Sequence, residues 1–250
     1  MRKILVILPA YNEEESIGKL LDSISAHDKR EFYDVLVIND GSRDKTAEIV
    51  KEKGYHIISQ IFNMGYGAAL QTAYKYAVNE GYEYVFQIDA DGQHDVKNID
   101  RLIEKMGCFE DDKTNYPDIV IGSRFLEGSE SFYMSRLKMI AIGFFRRVIR
   151  KNAGAVLTDP TSGLQGLNRN AFGFYAKYGN FDLKYPDMNM IIQMLLLGYK
   201  ITEFPAIMHE REAGVSMHTG LFKVGKYMLL MSLSTWNVYA RYRKIRKIEG

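Results

Sequence analysis

Short apolar runs alternate with amphipathic segments through the first half of the chain. Runs of nearly continuous hydrophobicity predict buried strands, and apolar residues at helical spacing predict helices. The predicted strands lie at residues 4–8, 35–38, 57–58, 84–88 and 119–121, and the predicted helices lie at 16–26, 46–53, 65–80 and 98–109. Strands without polar alternation, separated by helices, are typical of a mainly parallel sheet that helices cover on both faces. The pattern therefore predicts an α/β fold of this kind.

The second half of the chain is predicted to be mostly helical. The pattern predicts helices at residues 137–148, 188–197 and 221–239, and one more strand at 200–208. Asp187 directly precedes the second of these helices, where a carboxylate caps the first backbone N–H groups. We divide the chain into one α/β domain at residues 1–218 and an amphipathic, basic helical extension at residues 219–250.

Composition indicates a folded protein without an internal disulfide. Of the 250 residues, 46% are hydrophobic and 26% are charged, which is ordinary for a globular domain. Cys108 is the single cysteine, which excludes an internal disulfide and indicates a reducing compartment. The longest uncharged run near the end, residues 227–240, is shorter than the ~20 residues that a membrane-spanning helix needs. We therefore expect a cytoplasmic protein without a membrane span.

Two carboxylates directly follow the fourth predicted strand. Asp89 and Asp91 stand one residue apart, and Gln93 adds a neutral side-chain oxygen. In a parallel α/β sheet, ligands bind at the carboxyl ends of the strands. Carboxylate and amide oxygens suit hard cations such as Mg²⁺ or Mn²⁺. The pattern is compatible with a metal site, although a turn rich in aspartate and glycine explains the same residues without one.

Polar loops also follow the first two predicted strands. Tyr11 is placed to stack on a base or sugar, and Asp40 is placed to accept a hydrogen bond from a nucleobase. Each loop has a simpler explanation, because the acids at 13–15 complement a helix dipole and residues 39–42 form a common turn sequence. Convergence of several such loops on one sheet edge favours a binding site.

Two further segments bear on phosphate binding. Gly67 lies among small residues at the start of the third predicted helix, where a phosphate or sugar has room to approach the backbone. Arg124 follows the fifth predicted strand, at the edge where ligands bind, and is a candidate phosphate ligand. The alternative for Arg124 is an ordinary surface arginine.

Basic residues are concentrated in two places. Residues 131–158 include six basic residues and no acidic one, and residues 241–247 are also basic. A basic amphipathic helix binds an anionic membrane surface, or it packs its apolar face on the core, and we weigh the two explanations equally for 137–148. The apolar residues of 221–240 fit a homo-oligomer interface as well as a bilayer. The net charge of +2 and the lack of a recognised motif argue against nucleic-acid binding.

Six sequence blocks occur together over nearly the whole chain. They are PAYNEE at 9–14, NDGS at 39–42, DADGQH at 89–94, GSR at 122–124, DPTSG at 159–163 and the ER, G and S within 210–216. In these blocks and their order, the chain resembles the family 2 inverting glycosyltransferases, which have the Rossmann-like GT-A fold. It is most similar to their dolichyl-phosphate mannose synthase-like branch. The resemblance implies transfer of a sugar from a nucleotide-sugar donor.

The resemblance also implies roles for individual residues. The nucleotide is expected to lie against Pro9, Tyr11, Glu13 and Asp40. A divalent cation, Mg²⁺ or Mn²⁺, is expected to bind Asp89, Asp91 and Gln93 and to bridge the donor diphosphate. Arg124 and Arg211 are expected to face phosphate.

The acceptor decides which residues are catalytic. Asp91, through its metal, and Arg124 are expected to stabilise the negative charge that develops on the leaving diphosphate. A phosphate acceptor is already anionic and needs no general base, whereas a sugar hydroxyl needs a carboxylate to take its proton. Asp159 and Asp187 are the two candidates for that base, and the sequence leaves the choice open.

The leading expectation is transfer to a polyprenyl phosphate at the inner face of the cell membrane, because the basic segments suit an anionic bilayer. The second is transfer to a glycan hydroxyl in cell-wall or surface polysaccharide synthesis. The third, from a non-enzymatic class, is a nucleotide-sugar-binding or membrane-docked protein without turnover.

Overall fold

The computed structural model describes residues 3–130, 136–210 and 221–246. Its strands are β1 (Ile4–Ala10), β2 (Tyr33–Asn39), β3 (His56–Ser59), β4 (Tyr84–Gln87), β5 (Ile119–Ser123), β6 (Gln165–Asn168) and β7 (Ile201–Pro205). Its helices are α1 (Ile17–Ser25), α2 (Thr46–Glu52), α3 (Tyr66–Asn79), α4 (Asn98–Lys105), α5 (Arg136–Ala153), α6 (Arg169–Ala176), α7 (Met188–Leu196) and α8 (Leu221–Arg246).

The seven strands of the described residues form one sheet. Their order is β3-β2-β1-β4-β6-β5-β7, and neighbours are parallel except where β6 is involved. β6 runs antiparallel between β4 and β5, with Gln165 opposite Gln87. The mainly parallel sheet flanked by helices, predicted from the hydrophobic pattern, is confirmed.

β1 shows how the sheet is buried on both faces. All seven of its residues are buried, with Leu5 and Ile7 in one core cluster and Ile4, Val6 and Leu8 in the other. Successive strand side chains point to opposite faces, so a strand covered on both sides is apolar at every position. Helices α3, α5, α6, α7 and α8 cover the first face, and α1, α2 and α4 cover the second.

The hydrophobic pattern does not predict β6 or α6. Leu167 is the single large apolar residue of β6, so the strand is too polar to stand out. Gly166 fits under α4 because a Cβ there would lie only 2.9 Å from Cδ2 of Leu102. Packing against α4 and pairing with two buried strands, rather than local hydrophobicity, therefore determine this strand.

Several predicted strand boundaries differ from the observed ones, and those of β1 and β7 have a clear physical reason. β1 continues through Pro9, which pairs with Ile38, to Ala10. β4 pairs with β1 only as far as Ile7, so Pro9 has a neighbouring strand on one side only, which a residue without an N–H tolerates. β7 ends at Pro205, and the chain beyond it makes isolated bridges instead of a continuous ladder.

α8 packs on α7 as part of the fold. Met231 and Tyr242 belong to the core cluster of the first face, and Asn189 of α7 donates a hydrogen bond to the hydroxyl of Ser234. The predicted domain boundary at residue 218 lies outside the described residues. Among the helices described here, none combines the length and the apolar character needed to cross a membrane.

Cys108 is buried just after α4, and the folded chain should shield it from thiol reagents. Burial raises the pKa of its thiol to about 12, against the opposing charge of Lys113. At pH ~8 the reactive thiolate is therefore scarce. We expect the disulfide reagent DTNB to leave the native protein unlabelled and to label one thiol per chain after unfolding in guanidinium chloride. Rapid stoichiometric labelling of the native protein would contradict this expectation.

Candidate functional site

The loops that follow β1, β2, β4 and β5 meet at one edge of the sheet. These strands are parallel to one another, so their carboxyl ends lie on the same side. β6 runs in the opposite direction, and the loop that precedes it, residues 159–163, therefore reaches the same edge. We call the polar residues at this edge the candidate site, and Asp89 lies at its centre.

Asp89 is held by two neighbouring side chains. The Tyr66 hydroxyl donates to Asp89 Oδ1 at 2.8 Å, and His94 Nε2 lies 3.4 Å from Asp89 Oδ2. Gln87, at the end of β4, donates in turn to the Tyr66 hydroxyl at 2.8 Å. Burial raises the pKa of Asp89, but His94, Tyr66 and Arg124 together bring that pKa below its usual value. The carboxylate is therefore ionised at neutral pH.

Gly163 allows the 159–163 loop to pass directly over Asp89. A Cβ at Gly163 would fall inside van der Waals contact with Asp89 Oδ2 and 3.1 Å from its Cγ. Gly163 is not among the glycines with positive φ, so the close approach, and not a left-handed backbone, requires a residue without a side chain here. The loop and the carboxylate thus fix one another's position.

Asp91 and Gln93 lie on the tight turn that follows Asp89. Gly92 takes a left-handed φ of 76°, and the Gln93 N–H donates to Asp91 Oδ1 at 3.1 Å. The Gln93 carbonyl oxygen accepts from the His209 N–H at 2.8 Å. The turn that carries the predicted metal ligands is therefore attached to the chain just after β7.

Arg124 and Asp159, both predicted catalytic residues, form one buried ion pair. Arg124 donates through Nε to Asp159 Oδ2 at 2.6 Å and through Nη2 to Oδ1 at 2.7 Å, and its backbone N–H also donates to Oδ2. Burial lowers the pKa of Arg124, but Asp159, with Asp187 and Asp89, raises it above its usual value. Both oxygens of the Asp159 carboxylate are thereby engaged.

Asp187 caps α7, which confirms the helix cap predicted from its position before residues 188–197. Its Oδ1 accepts from the Met188 N–H at 2.9 Å. Its charge also contributes to the raised pKa of Arg124, so the two groups interact. Carboxylates from four residues thus share this edge of the sheet with the Arg124 guanidinium, namely Asp89, Asp91, Asp159 and Asp187.

Asp40 fixes the chain that leads into α3. Its Oδ1 accepts from the Met64 N–H at 2.8 Å, and its Oδ2 accepts from the Gly65 N–H at 2.9 Å. Each carboxylate oxygen keeps a second lone pair for another donor. Asp40 therefore has a structural role beside the nucleobase contact predicted for it.

Ser16 ties the loop after β1 to the turn after β4. Its Oγ lies 2.8 Å from Glu13 Oε2 and 2.9 Å from the Ala90 carbonyl oxygen. Tyr11, in the same loop, is 43% exposed, so its ring is accessible to a ligand. Pro9 is buried within β1 and lies below this loop. The residues predicted to cradle a nucleotide are thus brought to the edge that contains Asp89.

Gly67 does not have the open space expected of a ligand-binding position. A Cβ there would lie 2.6 Å from the carbonyl carbon of Leu183, and the Asp182 carbonyl oxygen is nearer still. The glycine allows residues 182–183 to pack against the first turn of α3. Chain packing therefore explains the small residue, and contact of Gly67 with the nucleotide-sugar stays a prediction.

Four residues of the site were not singled out from the sequence: Ser16, Tyr66, His94 and Gly163. His94 and Gly163 lie inside the blocks DADGQH and DPTSG, so membership of a block is the signal that points to them. Ser16 and Tyr66 stand outside every block, and only the fold brings their hydroxyls to the turn after β4. Arg211, predicted to face phosphate, lies outside the described residues.

The turn after β4 offers hard oxygen ligands from Asp89, Asp91 and Gln93. Within residues 3–130, 136–210 and 221–246, no three His, Cys, Asp or Glu side chains converge closely enough to hold a metal by themselves. Mg²⁺ is often bound by one or two carboxylates together with substrate phosphates. The donor set therefore fits a cation whose remaining ligands come from a bound diphosphate.

A solved structure with the same architecture supports the fold. The glucosyl-3-phosphoglycerate synthase of Mycobacterium tuberculosis, crystallised with Mn²⁺, UDP-glucose and phosphoglyceric acid, matches this chain with a TM-score of 0.63 at 19% identity. The match covers 96% of this chain and 80% of the synthase. It confirms the GT-A fold class.

Relatives with similar sequences cover most of the chain. A protein of Methanocaldococcus jannaschii is 32% identical over 207 residues, which are 81% of this chain and 80% of the relative. An undecaprenyl-phosphate mannosyltransferase of Micrococcus luteus is 27% identical over 269 residues, 98% of each chain. A polyprenol monophosphomannose synthase of Mycolicibacterium smegmatis is 24% identical over 245 residues, 90% of this chain and 87% of the relative. The family model for glycosyl transferase family 2 matches residues 5–175, more than half of the sequence. The chain therefore belongs to glycosyltransferase family 2.

Proposed function

We propose that this glycosyltransferase moves one sugar from a nucleotide-sugar to the phosphate of a polyprenyl phosphate, with a divalent cation and with inversion at the anomeric carbon. The observation that carries the proposal is the juxtaposition of the Asp89 turn with the Arg124–Asp159 ion pair at one sheet edge. Relatives named as an undecaprenyl-phosphate mannosyltransferase and a polyprenol monophosphomannose synthase support the choice of acceptor.

The charge of the candidate site supports the need for a cation. An anionic diphosphate would meet several carboxylates, whereas the Arg124 guanidinium is already paired with Asp159. A cation held by Asp89, Asp91 and Gln93 would offset this repulsion and supply Lewis-acid stabilisation of the leaving group. The Mn²⁺ crystallised with UDP-glucose in the M. tuberculosis synthase supports the same choice.

The residues of the chain itself bind and orient the reactants. Tyr66 and His94 hold the Asp89 carboxylate, and Asp159 holds Arg124, so these charges are in place before the donor arrives. An oxygen of the acceptor phosphate forms a bond to the anomeric carbon while the bond from that carbon to the diphosphate oxygen breaks. Attack from the face opposite the leaving group inverts the centre.

The engagement of Asp159 favours a phosphate acceptor over a sugar hydroxyl. Both of its oxygens accept hydrogen bonds from Arg124, so Asp159 is poorly placed to take a proton. A phosphate acceptor is anionic at neutral pH and requires no general base. In this reaction Asp187 keeps its role as the cap of α7, whereas for transfer to a glycan hydroxyl Asp187 would be the remaining one of the two candidate bases.

Incubation with candidate nucleotide-sugars, Mn²⁺ and a polyprenyl phosphate tests the proposal directly. We expect the sugar to enter a product that extracts into organic solvent and releases the sugar in mild acid. Efficient transfer to a glycan acceptor, with no transfer to the polyprenyl phosphate, would contradict the proposal that the acceptor is a polyprenyl phosphate.

Replacing Asp91 by asparagine should lower turnover by at least about 100-fold, because one charge that holds the cation is lost. Asparagine keeps an oxygen that accepts from the Gln93 N–H, so the turn after β4 is retained. Calorimetry should show that Mn²⁺ no longer strengthens the binding of a nucleoside diphosphate, which is a readout independent of turnover.

Asp111→Asn is the matched control, since this carboxylate is exposed in the loop after α4. It should leave both turnover and Mn²⁺-dependent nucleotide binding unchanged. An Asp91→Asn variant that behaves in the same way as the control would remove Asp91 from the proposed cation site.

The outer face of α5 supports the proposed contact with an anionic membrane surface. Ile140 and Phe144 are 66% and 38% exposed, and Arg147 and Lys151 continue the same face at helical spacing. Apolar and basic side chains together on one helical face suit the boundary between acyl chains and anionic headgroups. A polyprenyl phosphate is embedded in such a surface, so this face would bring the enzyme to its acceptor.

Sedimentation with anionic liposomes at low salt tests this contact. We expect the wild-type protein to sediment and the Arg147→Gln/Lys151→Gln variant to sediment much less, because each basic residue near an anionic bilayer contributes about 1 kcal/mol. The control is Lys51→Gln/Lys105→Gln, which removes two exposed charges from helices on the other face of the sheet. No sedimentation of the wild type, or equal loss in both variants, would contradict the proposed surface.

A further inference from the structure

Arg146 is a half-buried cation of α5 that the reaction described above does not use. Its Nε donates to the Thr158 carbonyl oxygen at 2.6 Å, and its guanidinium carbon lies 4.6 Å from the centroid of the Phe125 ring. These contacts bring the charged end of the side chain under the loop that leads to Asp159.

The Arg146 guanidinium has hydrogen-bonding capacity that the described residues do not satisfy. Its Nη2 is buried and has no hydrogen-bond partner among them, and none of their carboxylates forms an ion pair with it. Glu203 lies close by, but its two oxygens accept from the Thr158 and Asp159 N–H groups. Burying a charged donor without an acceptor costs free energy, which an arriving anion would recover.

Arg146 lies beside the reaction centre. Phe125 directly follows Arg124, and the Arg124 guanidinium carbon is 5.9 Å from the same ring centroid that Arg146 approaches. Asp159 forms an ion pair with Arg124, whereas no carboxylate of the described residues forms an ion pair with Arg146. An anion that enters beside Phe125 would therefore find Arg146 as the cation without a counter-charge.

We propose that Arg146 binds the phosphate group of the acceptor, a phosphate monoester, through the Nη side of its guanidinium. The inference rests on the proposed function and adds a specific acceptor residue to it. A guanidinium presents N–H donors in the fork geometry that matches phosphate oxygens. Arg146 belongs to the same helix as the exposed Ile140 and Phe144, but its guanidinium lies on the inner side, beside the loop that leads to Asp159.

A purely structural role for Arg146 predicts different behaviour. If Arg146 only tied α5 to Thr158, its loss would lower the melting temperature and would impair the use of donor and acceptor alike. A role in binding acceptor phosphate predicts a selective rise in the acceptor KM, with the donor KM and the slow hydrolysis of the donor unchanged.

The experiment compares Arg146→Gln with Arg150→Gln, which removes an exposed charge one turn further along α5. A short-chain isoprenyl phosphate serves as a soluble acceptor, so that membrane binding does not enter the measurement. We expect Arg146→Gln to raise the acceptor KM at least about tenfold, with Arg150→Gln like the wild type. Arg146→Lys keeps the charge but not the forked pair of donors, so its acceptor KM should lie between those of Arg146→Gln and the wild type.

Inorganic phosphate separates recognition of the phosphate group from recognition of the lipid. It should compete with the isoprenyl phosphate in the wild type and in Arg150→Gln, and lose that effect in Arg146→Gln. If phosphate inhibits all three proteins equally, or if the acceptor KM of Arg146→Gln matches that of Arg150→Gln, the inference is overturned.

Failure of the two proposals can be told apart. A wild-type protein that does not use the isoprenyl phosphate or the polyprenyl phosphate contradicts the proposed function. A wild-type protein that uses them, beside an unaffected Arg146→Gln variant, contradicts the role of Arg146 alone. If Arg146→Gln does not fold, Arg146→Lys decides, because an acceptor KM equal to that of the wild type would also overturn the inference.

Discussion

Replacing Gly163 by alanine is expected to lower sugar transfer by about 100-fold while the protein stays folded. The added Cβ would collide with the Asp89 carboxylate, and either the loop or the carboxylate must move. A displacement of about 1 Å in a group that positions reactants is enough for a loss of this size. Steady-state turnover with saturating donor and acceptor measures the loss, and a melting curve shows whether the fold is kept.

Gly173→Ala is the matched control for this substitution. Gly173 lies within α6, and a Cβ there would meet nothing within 4 Å. Alanine is favoured over glycine inside a helix by up to about 1 kcal/mol, so this variant should be slightly more stable and fully active. A Gly163→Ala variant with the turnover of the control would show that the observed position of Asp89 is not required.

Replacing Asp159 by alanine is expected to destabilise the protein by about 3–5 kcal/mol. The substitution leaves the buried Arg124 guanidinium without the carboxylate that accepts two of its hydrogen bonds. A loss of this size corresponds to a fall in Tm of roughly 10 °C for a chain of this length. Urea unfolding at neutral pH measures the change in the free energy of unfolding.

The exposed ion pair between Asp22 and Lys53 provides the comparison. Asp22→Ala removes a carboxylate whose side chain is 69% exposed, and an exposed pair contributes at most about 1 kcal/mol. Equal destabilisation by Asp159→Ala and Asp22→Ala would contradict the view that burial makes the Arg124–Asp159 pair important for stability.

The hydrophobic pattern predicts the strands whose burial is complete. β1, β2, β4 and β5 are covered by helices on both faces, and that environment requires an apolar residue at nearly every position. β6 occupies an equally central place with Gln165 and Gly166, because its side chains meet close neighbours that leave no room for large residues. Because tertiary packing rather than local hydrophobicity determines β6, its sequence lacks the apolar pattern by which a buried strand is recognised.

The sequence blocks predict where the site lies but not how its groups are paired. Asp89 and Arg124 follow predicted strands, so their arrival at one edge follows from a parallel sheet. The partner of Arg124 is Asp159, which is 35 residues away and reaches it only because β6 is reversed. Asp40 is similarly occupied by backbone N–H groups 24 and 25 residues further along the chain. The sequence shows the chemical type of a side chain, whereas its hydrogen-bond and ion-pair partners depend on the fold.

The reversed direction of β6 has a consequence for the length of the chain before it. Residues 154–163 are tethered by α5 at one end and by the middle of the sheet at the other, with Asp159 and Gly163 between these two anchors. Arg146 donates to the Thr158 carbonyl oxygen and Glu203 accepts from the Thr158 and Asp159 N–H groups, so a one-residue deletion in this span would move Asp159 away from Arg124 or Gly163 away from Asp89. At the other end of β6, Asn168 caps α6 and donates to Asp118, so an insertion directly after it would disturb the start of that helix rather than the candidate site.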